Sequence, residues 1–157
     1  MKANFILTSA CVAALAAMCC VSVMSPIRFE NEQAKREAAV KQRLLKIRTA
    51  EERYKAKAGT YTGSFKELVG KGFLADSLQY IPYSEGRKFE LSATTQISKS
   101  GRTVPLMECG APYEAYLEGL DQEAIAGLVE KANDSGGYPG LKIGDITQAG
   151  DIAGNWE

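Results

Sequence analysis

The chain has 157 residues with 19 basic and 19 acidic side chains, and the two signs are interleaved, so no basic patch exists to hold nucleic acid. It contains no histidine, which removes the commonest general base near neutral pH, the commonest metal ligand and the Ser-His and Cys-His nucleophile pairs. Composition therefore predicts a noncatalytic protein without metal or cofactor, and the length leaves room for one small domain with one modest core.

The chain opens on a charge-free apolar run, Phe5 to Met24. About 20 apolar residues suffice to cross a hydrocarbon core as a helix, so residues 1–25 are expected to form a transmembrane anchor. A cleaved signal peptide is the alternative, since Lys2 resembles the start of one, although its apolar stretch is normally only about 7 to 15 residues long. Cys11, Cys19 and Cys20 lie inside the run and act as small hydrophobes. Neither Cys11, which comes too early, nor Cys19, which follows Met18, sits in a lipidation site. Orientation has two readings. Arg28, Lys35, Arg36, Lys41 and Arg43 follow the run and favour a cytoplasmic domain, whereas an exported N-terminal signal of this shape favours a periplasmic one. The expected location is the bacterial inner membrane, single-pass, with the domain outside the cytoplasm.

From Pro26 to about Ala58 strong helix formers run without internal Gly or Pro, predicting one long helix. Val40, Leu44, Ile47, Tyr54 and Ala58 follow three-four spacing as one apolar stripe, with Ala38 and Leu45 on its flank. Residues 26–39 are largely charged and read as a helical stem; residues 40–157 read as a single α+β domain. Glu32 with Arg36, Glu37 with Lys41 and Glu51 with Lys55 are four apart in the favourable order and predict a solvated face.

Gly59 suits a left-handed helix stop, and Ser64 suits the cap of a short helix over Phe65 to Val69. Gly70 and Gly72 lack the frame of a phosphate-binding loop. A short strand is expected at Leu78 to Ile81. From Lys88 to Ile97 residues alternate, with Phe89, Leu91, Ala93, Thr95 and Ile97 on the inner face of a half-buried strand. Thr103 to Cys109 returns antiparallel, with Pro105 marking an edge or bulge. Asp121 caps an amphipathic helix to about Asn133, and Leu141 to Ile146 reads as the last strand. Trp156, near the end of the tail, is expected to dock on the domain.

Cys109 stands without a CxxC partner and reads as an inert, half-buried thiol. Tyr80, Tyr83, Tyr113 and Tyr116 are the candidate binding surface for peptide or glycan if their rings are exposed, and core residues otherwise. An acid pair such as Glu108 and Glu114 would be needed for an enzyme.

The order of apolar run, long amphipathic helix, the stretch Tyr54 to Leu68 (YKAKAGTYTGSFKEL) and an antiparallel hairpin resembles type IV pilins and type II secretion pseudopilins over about the first 110 residues. That resemblance implies a pilin-like fold, in which an N-terminal transmembrane helix continues into a helix packed on a small antiparallel sheet. It also implies a structural or assembly role, with the membrane and other envelope proteins, or further copies of the chain, as partners. Two features depart from the pattern: there is no Gly-Phe-Thr-Leu-Ile-Glu processing site, and no glutamate near the start of the run. Arg28–Glu32 (RFENE), Ile47–Ala50, Gly59–Thr62 and Ala153–Glu157 (AGNWE) resemble, over nearly the whole chain, single-span bacterial envelope proteins with no assigned activity.

Overall fold

The computed structural model describes residues 10, 12–15, 18, 27–98, 101–148, 150 and 152–157 in full, and residues 2–9, 11, 16–17 and 19–26 as helical backbone. The protein is α+β, with a long helix and a three-stranded antiparallel sheet. The chain divides into two compact units, residues 1–35 and residues 36–157.

Helix α1 runs Lys2–Ala58 and ends, as its sequence predicts, at Gly59, whose φ of 78° is the left-handed stop. Among the described residues no helix is long and apolar enough to cross a membrane. The expected span, Phe5 to Met24, lies outside the fully described residues except at Ala10, Val12–Leu15 and Met18.

In the second unit the apolar stripe of α1 is buried at Val40, Leu44, Ile47, Ala50 and Tyr54. Ala58, expected on that stripe, is exposed because the helix has reached its last turn there. The charged face holds at Glu37 and Lys41, whose groups are 3.6 Å apart. It fails at Glu51, which is fully buried. The reason is geometric: Glu51 is four residues after Ile47 and three before Tyr54, on the stripe itself. Lys55 turns instead to Tyr61, donating to its hydroxyl at 3.2 Å with the ammonium 4.6 Å from the ring.

Helix α2 occupies Phe65–Gly70 and buries Phe65 and Leu68. Ser64 stands at its N-cap position, but its side chain makes no capping bond. The strand expected at Leu78 to Ile81 is a 3-10 turn, Asp76–Gln79, closed by Gln79 Nε2 donating to Asp76 Oδ1 at 2.5 Å. Only Tyr80 keeps strand character, bridging Lys88. The Leu78 N–H donates to Ala75 O at 3.0 Å and closes the backbone turn, and Pro82 bars a longer ladder.

Strand β1, Glu90–Ile97, pairs antiparallel with β2, Thr103–Pro112, and β2 pairs with β3, Gly140–Gly144. The predicted alternation of β1 holds at Phe89, Leu91 and Ala93, then gives way: Thr95 is exposed and Ile97 is 75 % exposed. The cause is sheet width, because β3 covers β2 only from Glu108 to Pro112 and the hairpin continues beyond as a two-stranded ribbon. Pro105 sits in that ribbon opposite Thr95 in regular register, where its missing N–H interrupts no second ladder. Leu106, Met107, Cys109 and Ala111 place β2 at the core.

Helix α3, Tyr113–Tyr116, is a single turn with no sequence signal of its own. Helix α4, Gln122–Asp134, starts as predicted at Asp121, whose Oδ1 accepts from Glu123 N–H at 3.0 Å and Ala124 N–H at 3.3 Å. β3 stops at Gly144, before the predicted Ile146, because the Asp145 carboxylate accepts from the Thr147 N–H at 2.7 Å and hydroxyl at 2.6 Å and folds a turn.

The AGNWE tail closes the free edge of β3. Gly144 N–H donates to Ala153 O at 3.0 Å and Asn155 N–H to Lys142 O at 2.9 Å, with Ile143 bridging Gly154. The Asn155 side chain accepts from Lys142 N–H at 3.1 Å and donates to Gly140 O at 2.9 Å, while Trp156, half-buried, lies against Gly154 with the Lys41 ammonium 5.7 Å from its ring. Glu157 reaches Arg48 on α1 at 3.2 Å. Asn155→Ala removes both side-chain bonds and is expected to cost about 2 kcal/mol, read as a lowered midpoint with unchanged slope in urea unfolding.

Candidate functional site

The structure separates the four candidate tyrosines. Tyr116 is fully buried, Tyr80 and Tyr113 are half-buried, and Tyr83 is 47 % exposed. Tyr113 and Tyr116 meet at 5.9 Å between ring centroids, tilted by 53°. Burial pushes both phenols up, with the Glu37 charge adding to it. Tyr116 completes the core, and Tyr113 lies against it at the margin. The Tyr116 hydroxyl is buried without a hydrogen-bond partner among the described residues, so Tyr116→Phe is expected to stabilise the protein by about 1 kcal/mol in urea unfolding.

Tyr83 is different. It has φ of 61°, the only non-glycine residue with positive φ among those described, and the Arg36 guanidinium lies 5.0 Å from its ring centroid. The same guanidinium donates to Tyr116 O at 3.1 Å and Glu118 O at 2.9 Å, tying the Tyr83 turn to α3. Tyr80 is held from the other side: its ring lies 5.5 Å from the Lys88 ammonium and its carbonyl accepts from Arg43.

Two groupings escaped the sequence reading. In the first, the hydroxyl of Tyr54 donates to Glu67 Oε2 at 2.6 Å, and Lys71 Nζ reaches that oxygen and the phenol oxygen, both at 3.3 Å. The Tyr54 hydroxyl, then Lys71, holds the Glu67 carboxyl below its ordinary range, and the Tyr54 hydroxyl, then Glu67, pushes the Lys71 ammonium up. Tyr54 and Phe73, edge to face at 5.6 Å, wall a cleft of about 350 Å3 with Lys57 and Lys71.

The second is the buried carboxyl of Glu51. Its Oε2 accepts the Thr62 N–H at 3.0 Å, and its Oε1 is buried without a partner among the described residues. Burial pushes this carboxyl up to about 7; the Thr62 N–H opposes that shift and Glu67 adds to it. Cys109, expected half-buried, is fully buried. Burial, then the charges of Glu51, Glu90 and Glu108, pushes its thiol well above the ordinary range, so no thiolate forms near neutral pH.

Glu108 and Glu114 do not share a cleft. Glu108 pairs with Lys142 at 3.4 Å, whereas Glu114 lines a recess with Arg87 and Glu118. Among the described residues no group of three or more Cys, Asp or Glu side chains converges in a way that could hold a metal ion. No protein-family profile, no curated protein and no solved structure matches this chain.

Proposed function

We propose that this protein is a noncatalytic, membrane-anchored component of a bacterial envelope assembly. Residues 1–25 are its inner-membrane anchor, α1 continues into a helix packed on the sheet in pilin-like fashion, and the domain lies on the periplasmic side. The observation that carries the reading is the exposure of the apolar run. Val12, Leu15 and Met18 are 66, 62 and 68 % exposed, and Ala13 and Ala14 are exposed too. At about 3.6 residues per turn, the four consecutive positions Val12 to Leu15 go round the helix, so its described residues there are apolar on every side. A helix that is apolar all round requires a lipid or protein environment.

The charge-free length of Phe5 to Met24 favours lipid over a partner groove. The fully buried Cys109 thiol is not an activated nucleophile, and Glu108 and Glu114 engage different neighbours. Purification of the full chain from its membranes in mild detergent tests the assembly role: elution as a stable complex, with itself or with another protein, is expected, and a bare monomer would overturn it.

A second reading, an anchored binding module, is favoured by one observation. Tyr83 alone of the four tyrosines is held at the surface, in a backbone conformation that a bulky residue adopts only when its surroundings impose it.

A further inference from the structure

Gln42, Arg43 and Lys46 on α1 face Leu78, Pro82 and Tyr83 across a recess of about 490 Å3, within the size range of small-ligand sites. Its charge is one-sided, for no acidic side chain lines it. The Arg43 guanidinium is fixed by the carbonyls of Ser77, at 3.3 Å, and Tyr80, so a positive charge stands in the wall in a set position. Lys46 is exposed and has no ion pair among the described residues. Leu78 and Pro82 supply an apolar floor, and Tyr83 stands at the rim.

We propose that this recess binds an acidic peptide segment of a partner protein. A carboxylate engages Lys46 and Arg43, and an aliphatic side chain lies on Leu78 and Pro82. Charge complementarity selects the class, since a cationic pocket with no internal acid favours an anion. The ring of Tyr83 selects peptide over glycan. Sugars stack on open aromatic faces, and Arg36 already occupies one face of this ring at 5.0 Å. The inference rests on the binding-module reading and is independent of whether residues 5–24 cross a bilayer, so either can fail alone.

The test uses the full chain in dodecyl maltoside micelles and a fluorescein-labelled peptide, Ac-Leu-Glu-Glu-Leu-amide, followed by fluorescence anisotropy. Saturable binding that weakens with added salt is expected, with about a tenfold loss in Lys46→Glu. Tyr83→Gly suits the positive φ and keeps the turn while removing the ring; binding several-fold weaker than native is expected of it. Absence of saturable binding overturns the proposal. So does equal binding by Lys46→Glu, equal binding of the Gln-Gln analogue with the same label, or tighter binding of trigalacturonate in competition.

Discussion

Gly144→Ala is expected to destabilise the domain by about 2 to 6 kcal/mol, combining roughly 1 to 3 for backbone strain with a similar amount for overpacking. Gly144 ends β3 at φ 68°, and a Cβ there would lie 2.2 Å from the Met107 carbonyl oxygen, a backbone atom of the central strand that cannot step aside. The same residue donates its N–H to Ala153, so displacing it also loosens the AGNWE tail from the edge of β3. Urea unfolding should show the midpoint falling sharply. A loss below about 1 kcal/mol would mean that the junction of β3 and the tail is not held as described.

Glu51 makes stability depend on pH in the direction opposite to that of a salt-bridged acid. The folded-state value near 7 stands above the ordinary 4.5, so between these values the folded protein keeps a proton that the unfolded chain has released. Stability from this group is full below about 4.5, falls as pH rises toward 7, and is level above it. The interval corresponds to roughly 3 kcal/mol. One titratable group acts on the carboxyl within the window: Glu67, held low and ionised, whose charge adds to the upward shift. Glu51→Gln keeps the acceptor for Thr62 and removes the charge. It should flatten the profile and be more stable than the native protein by about 2 kcal/mol at pH 8, the amide's unpartnered N–H groups offsetting part of the gain. A native profile already flat from pH 5 to 8 would show that Glu51 is solvated.

The contrast between Glu51 and the stripe around it shows what the sequence could convey. Val40, Leu44, Ile47 and Tyr54 announce themselves because three-four spacing of apolar residues has one physical meaning on a helix. Glu51 fills a vacant place in that series, but charge identity outweighed position, and the Thr62 N–H that receives it comes from a turn 11 residues on. Asp121 was legible because its capping bonds are local. β1 was legible in period but not in extent, since the burial of Ile97 depends on where a strand 40 residues later stops pairing. Leu78 to Ile81 misled because four apolar-rich residues carry too little pattern to distinguish a strand from a turn closed by Asp76. The positive φ of Tyr83 has no local signature, and the recess beside it is built from segments some 40 residues apart.

Alkaline carbonate extraction of membranes carrying the full chain, with intact-mass analysis of the pellet and supernatant, tests the anchor most directly. Retention in the pellet at full mass is expected, along with release of a chain lacking residues 2–25 into the supernatant; release of the full chain, or a mature product that has lost the apolar run, would contradict it.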